Sequence, residues 1–275
     1  MRMPRWSLGV AAIVVATGIS GLRLLAQDRD DARWREDCLD RSHRDFRSTY
    51  CDVRVQRIPS SVHSLSVDGR ENGGIEIEGS SGDSIVVHEL IESEAPSADE
   101  ARDQANQIQV VTNGASIHAE GPPSAHRHSW SVSYRILVPK HMDLTLTTTN
   151  GPLSIDGVSG TMDLHAVNGP IELEDVGGDV HARGQNGPLE VRLAGRHWEG
   201  AGLDATTENG PVDLQLPAQY GAHLETGTVN GPMDLDYPVT LQGRIDLHRL
   251  SLDLGAGGPP VRVETTNGPV SVKRG

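Results

Sequence analysis

Apolar and polar residues alternate on both sides of a three-residue corner, and the arrangement recurs through the second half of the chain. The corner is Asn-Gly-Pro. It stands at Asn150-Gly151-Pro152, Asn168-Gly169-Pro170, Asn186-Gly187-Pro188, Asn209-Gly210-Pro211, Asn230-Gly231-Pro232 and Asn267-Gly268-Pro269. Aligned on the asparagine, the copies are spaced by 18, 18, 23, 21 and 37 residues. Six before it lie Leu144, Met162, Val180, Leu203, Leu224 and Val261; four before it lie Leu146, Leu164, Ala182, Ala205, Thr226 and Val263. Three after it lie Leu153, Ile171, Leu189, Val212, Met233 and Val270; five after it lie Ile155, Leu173, Val191, Leu214, Leu235 and Val272. The residues between are mostly polar, and a period of two on each side of a corner predicts half-buried strands.

Asn-Gly ordinarily closes a two-residue hairpin, in which the next residue donates its N–H across the turn. Proline has no N–H to donate, so this corner turns the chain without folding it back. Strand, corner, strand and loop at near-constant length describe one coil of a parallel β-solenoid with coils of about 18–23 residues. Stacked coils would place equivalent residues about 4.8 Å apart. The asparagines would form an amide ladder. Glycine would permit an unusual backbone angle at the corner, and proline would fix the exit. The long last interval is expected to hold an extra coil in "RIDLHRLSLDL", its corner lost near His248 and Arg249. A propeller repeats at about 40–45 residues, too long for these spacings.

The front half is less regular. "SLSVDGRENGGIEIEG" reads as a coil with Gly74 where proline would stand. Ser97 followed by Glu100 is a capping box after Pro96, predicting a short helical insert to about Gln107. "SWSVSYRILVP" alternates as a strand. Residues 27–60 are dense in charge of both signs and read as a cap or linker.

The N-terminus changes the picture of where the protein works. Arg2 and Arg5 precede the uncharged, mostly apolar Ser7–Leu22, and Ala26 offers a small residue for cleavage. Residues 1–26 thus read as a secretory signal or an uncleaved membrane anchor. Either implies export to the periplasm, the cell surface or the medium. Without residues 1–26 the chain holds 21 basic and 38 acidic residues, a formal charge of −17. That balance excludes nucleic acid or an anionic membrane as the main partner. The two cysteines, Cys38 and Cys51, are expected to form a disulfide in an oxidising compartment.

The order of these pieces resembles the bacterial DUF4097 family. The resemblance rests on "NGGIEIEG", the helical insert, "VSYRILVPKHMDLTLTTTNGPLSIDGVSG" and "VNGPIELEDVGG", and it covers roughly residues 61–275. It implies an exported β-solenoid-like domain with an adhesin label, and no catalytic residues to carry over. Family members commonly place an acidic or small residue after Asn-Gly, where this chain has proline in all six full copies.

The polar columns hold the candidate chemistry. Four after the asparagine stand Ser154, Glu172, Glu190, Asp213, Asp234 and Ser271, so four carboxylates, Glu172, Glu190, Asp213 and Asp234, would adjoin if coils stack in chain order. Two positions on lie Asp156, Glu174, Arg192, Gln215, Asp236 and Lys273. Adjacent like charges destabilise a sheet, so splayed side chains, the nearby Arg192 or a bound calcium ion would have to relieve them. A solvated acidic face that aids solubility is the simpler reading. Five before the asparagine run Thr145, Asp163, His181, Asp204, Glu225 and Arg262, a charge-paired surface ladder. His126 and His128 make half a metal site, and Trp130 and Trp198 are packing residues or sugar platforms. No nucleotide loop, zinc-protease helix or nucleophile elbow is present, and no catalytic residue or cofactor is assigned. The expected function is non-enzymatic: an adhesin or scaffold that meets an envelope polysaccharide or protein through its repetitive face. A carbohydrate-active enzyme on the same scaffold and a purely structural or regulatory periplasmic domain are the alternatives.

Overall fold

The computed structural model of the protein describes residues 18–41, 48–59, 61–236 and 248–275. Most of the expected signal or anchor, residues 1–17, lies outside them. Among the described residues no helix is long and apolar enough to cross a membrane.

Among the described residues, two ten-stranded sheets face each other. In spatial order the first runs β1 (Ser48–Ile58), β4 (Ile85–Ala95), β7 (Ser129–Pro139), β3 (Ile75–Ser80), β9 (Leu153–Asp156), β11 (Ile171–Glu174), β13 (Leu189–Arg192), β15 (Val212–Leu216), β20 (Val270–Arg274) and β17 (Met233–Asp236). The second runs β5 (Gln109–Asn113), β6 (Ser116–Glu120), β2 (Ser64–Asp68), β8 (Asp143–Asn150), β10 (Ser159–Asn168), β12 (Gly177–Asn186), β14 (Gly202–Asn209), β19 (Pro260–Asn267), β16 (Ala222–Asn230) and β18 (Arg249–Leu254). Each Asn-Gly-Pro corner carries the chain from the second sheet to the first. Pairing is parallel through the coils and antiparallel at β1–β4, β4–β7, β5–β6 and β16–β18.

The alternation sorts the side chains as the pattern requires. The inward columns bury Leu144, Leu146, Leu153, Ile155 and their equivalents in one continuous core. Met233 and Leu235 are only partly buried, because β17 is an edge strand.

The coils do not stack in chain order. β19 lies between β14 and β16, and β20 lies between β15 and β17. The C-terminal coil is therefore inserted between two earlier ones. β18 pairs antiparallel with β16 at the sheet edge, so the segment expected to form an extra coil does not. Its first part, residues 244–247, lies outside the described residues.

The corners make the amide ladder. Asn150, Asn168, Asn186, Asn209, Asn267 and Asn230 each donate from Nδ2 to Oδ1 of the asparagine before it in the stack, at 2.8–3.2 Å, beginning from Asn72. The corner glycines serve a different purpose from the one expected. None has a positive φ. A Cβ on Gly169 would collide with the carbonyl oxygen of Gly151, and the same holds up the stack, so glycine is there for close approach.

Proline leaves a gap in the ladder, and threonine fills it at four of the corners. Gly187 N–H donates to Asn209 O at 3.0 Å, and the next bond of a parallel ladder would run from residue 211 back to Gly187 O. Residue 211 is proline. The Thr207 hydroxyl donates to Gly187 O instead, at 3.0 Å. Thr148, Thr265 and Thr228 do the same for Gly73, Gly210 and Gly268 at 2.6, 2.9 and 2.8 Å. All four threonines are buried.

Helix α2 (Ala98–Ala105) is the expected insert. Ser97 caps it, its side chain accepting from Glu100 N at 3.3 Å. The described part of residues 27–60 is built into the fold as helix and strand. Helix α1 (Gly18–Arg41) packs on the outer surface of the first sheet, and β1 is part of that sheet. The expected disulfide, Cys38–Cys51, joins the two. Trp34 and Leu90 pack around it, Arg135 lies 4.3 Å over the Trp34 ring, and His88 Nδ1 meets Asp31 at 2.8 Å.

Candidate binding surfaces

The outer surface of the first sheet carries the acidic column. Because the C-terminal coil is inserted, its order is Ser154, Glu172, Glu190, Asp213, Ser271, Asp234. Three of the four expected carboxylates adjoin, and Ser271 separates Asp234 from them. Arg192 bonds Glu190 at 2.8 Å and lies 3.8 Å from Glu174. Lys273 bonds Asp213 at 2.6 Å. These cations relieve the like-charge contacts. Among the described residues no group of three or more His, Cys, Asp or Glu side chains converges as metal ligands would.

The second sheet shows Thr145, Asp163, His181, Asp204, Arg262 and Glu225 in that spatial order. His181 pairs with Asp179 on its own strand at 3.3 Å. Arg262 bonds Glu264 at 2.7 Å and approaches Asp204 at 3.8 Å. The Arg262 guanidinium is raised above its ordinary pKa chiefly by its bond to Glu264, with Asp204 and Glu225 adding to the effect. The column is a charge-paired ladder.

The remaining candidates separate. His128 meets Glu100 at 3.3 Å, so the His126–His128 loop is held to α2. Trp198 is buried, and its Nε1 donates to Gly178 O at 3.0 Å. Trp130 is only half-buried, with Nε1 donating to Pro122 O at 2.7 Å. It borders a cleft of about 470 Å³ between the first corner and the loop joining β6 to β7. Two other shallow depressions, each of about 420 Å³, lie along the second sheet.

The interior near β1 is polar. Glu89 faces inward from β4 and accepts a hydrogen bond from Gln56 Nε2. Burial pushes its carboxyl up to about 7, against that bond and the Arg54 charge, which lower it. Among the described residues the buried Tyr134 hydroxyl has no hydrogen-bond partner. Burial raises its pKa well above the ordinary tyrosine value, and Glu89 and Asp68 raise it further.

The pattern of the columns pointed to the two outer surfaces. The cleft and the threonine column were not anticipated. The threonines had a signal, since they continue the inward parity of positions six and four before the asparagine. The cleft had none, because it forms where the repeat breaks.

Residues 52–273 match the family described as Toastrack DUF4097, and the chain belongs to that family. Among proteins with curated descriptions none matches. A candidate cell adhesion protein of Clostridium sporogenes is similar at 9% identity over 82% of this chain and 100% of its own, with a TM-score of 0.42. A candidate adhesin of Bacteroides fragilis is similar at 13% identity over 81% and 97%, with a TM-score of 0.34. A candidate lipid binding protein of Parabacteroides distasonis is similar at 9% identity over 80% and 96%, with a TM-score of 0.38.

Proposed function

We propose that this family member is an exported, non-enzymatic protein of the cell envelope or surface, binding or scaffolding through the outer surfaces of its solenoid. The observation that carries the reading is the disulfide between α1 and β1. Such a bond persists in an oxidising compartment and is rare in the cytosol. It fastens the helix that begins within the N-terminal apolar run to the side of the solenoid. The solenoid would then be held at a fixed attitude to whatever that run engages. Stacked coils lock the charged columns in register, a property suited to repetitive ligands such as polysaccharide. Calcium is a further candidate ligand at Glu172, Glu190 and Asp213, with Asp234 two strands beyond Asp213.

The test is binding of purified residues 27–275 to intact cells and to isolated envelope polysaccharide, with and without calcium, beside fractionation of the native protein. Saturable binding by a protein found in the envelope or outside the cell supports the reading. Loss of binding in chelator would bring calcium into it. A cytosolic protein, or depolymerisation of the polysaccharide, would overturn it.

A further inference from the structure

We infer that the cleft beside Trp130 is a saccharide site, taking a neutral sugar ring at the end of a glycan. This deepens the function proposed above and rests on it for the compartment in which a glycan would be met.

The cleft lies where the solenoid departs from its own repeat. Register pairs Asp68 with Thr147, and the ladder pairs Asn72 with Asn150. Four steps lead from Asp68 to Asn72 where three lead from Thr147 to Asn150, so this corner has one extra residue. The chain absorbs it by placing Arg70 in the left-handed region, at φ 56°. A left-handed arginine is uncommon, and such strain persists only where the surroundings enforce it. Here Asp68 Oδ1 accepts from Arg70 N at 2.8 Å, its other oxygen meets the guanidinium at 3.3 Å, and Thr149 N–H donates to Arg70 O at 3.0 Å. The bulge pushes Arg70, Glu71 and Asn72 out as one wall.

The opposite wall is rigid and aromatic. Trp130 belongs to the inward series of β7, whose next members Val132, Tyr134, Ile136 and Val138 are all buried, yet it stays half-exposed. Its only hydrogen-bond donor is used on Pro122 O. A Cβ on Gly121 would press on the indole edge, so glycine lets the loop close against the ring. The indole is fixed in orientation and offers the cleft an apolar surface.

The chemistry selects the ligand class. An aromatic face suits the C–H face of a sugar ring, and planar carboxylate, amide and guanidinium groups suit its hydroxyls. Glu71, Asn72, Glu120 and Arg70 supply them around the rim. Arg70 is already neutralised by Asp68, so the two glutamates leave the cleft without attraction for an anion. A volume of about 470 Å³ is within the range of small-molecule sites.

The test is calorimetric titration of the full chain, in a non-glycosidic detergent, with oligosaccharides ending in glucose, galactose, mannose, N-acetylglucosamine or glucuronate. Saturable binding of at least one neutral sugar is expected, with glucuronate at least tenfold weaker. Glu71→Ala and Trp130→Phe should each weaken that binding at least tenfold while the melting temperature stays within a few degrees. Binding of none of these sugars, or binding indifferent to both substitutions, would overturn the site. If the parent binds cells but none of these sugars, the cleft inference fails and the solenoid-face reading stands. If the parent binds sugar but the native protein is cytosolic, the site stands and the proposed function fails.

Discussion

Replacing Thr207 by Val tests the claim that a hydroxyl stands in for the N–H that proline lacks. Valine keeps the shape of the side chain and removes the donor. Thr207 is 3% exposed and Gly187 is half-buried, so the carbonyl it serves is partly shielded from water. A buried carbonyl left without its donor costs roughly 1–3 kcal/mol, so Thr207→Val should destabilise by about 2 kcal/mol. The distinctive expectation concerns Pro211. Pro211→Ala restores an N–H at the ladder position facing Gly187 O, and loses about 0.4–1 kcal/mol of chain stiffness. In that background Thr207→Val should cost about 1 kcal/mol less, because the carbonyl has a second donor. Urea unfolding of the four proteins, followed by far-ultraviolet circular dichroism, closes the double-mutant cycle. Thr206→Val, on the outer face of the same strand, is the control and should stay within about 0.5 kcal/mol. Equal costs of Thr207→Val in both backgrounds would refute the substitution of hydroxyl for N–H.

Three further outcomes follow from the same structure. Glu89 has a folded pKa near 7 against an ordinary 4.5, so the folded state holds the extra proton. The contribution of Glu89 to stability should therefore be full below pH 4.5 and be lost, by up to about 3 kcal/mol, as pH rises through 7, so the difference between Glu89→Gln and the parent in urea unfolding should change between pH 5 and pH 8. Leu173→Asp should prevent folding while its neighbour Glu172→Lys should not, judged by circular dichroism of the purified chains, since only the first buries an unpaired charge. A chain ending at Gly258 should unfold at lower urea, because it loses Val261, Val263, Val270 and Val272 from the core at roughly 1.5–3 kcal/mol each; a peptide of residues 259–275 should bind it and restore the loss, and failure to bind would mean that the gap closes without it.

Much of the solenoid was legible because it is periodic. Leu144, Leu146, Leu153 and Ile155 announce their burial by position, and each later coil repeats the statement. Ser97 and Glu100 announce a helix start by a local bond that needs no tertiary context. The corner glycines were legible as necessary but not in their reason, since nothing in a sequence tells a positive φ from a close approach. β1 was obscured because Arg54 and Gln56 occupy inward-facing positions where the strand meets α2 and Glu89. Arg54 is there satisfied by the carbonyls of Ile108 and Ala105 at 3.0 and 3.4 Å, contacts more than fifty residues away. The Trp130 cleft depends on one extra residue in one corner, a signal too small to stand out without the register.

The order of the coils is the instructive failure. The coils offer nearly the same apolar columns, with Thr226 the polar exception, and the same corner, so the asparagine ladder does not distinguish one sequence of coils from another and the core does so only weakly. The exposed charges do. In chain order Asp204 would adjoin Glu225 and Asp213 would adjoin Asp234, two like-charge contacts across one strand pair in each sheet. In the observed order Arg262 stands between Asp204 and Glu225, and Ser271 stands between Asp213 and Asp234. Lys273, on the same inserted coil, bonds Asp213, which raises the lysine pKa, with Asp234 and Glu190 adding to the effect. Like charges directly opposite are destabilising in a sheet, and here the inserted coil removes both pairs at once. Surface ion pairs contribute little to the stability of a fold already made. Between arrangements whose cores and corners are equivalent, a small difference in charge suffices to choose. The acidic columns therefore have a structural task apart from any ligand: they reserve a place in the stack for the one coil that brings Arg262 and Lys273.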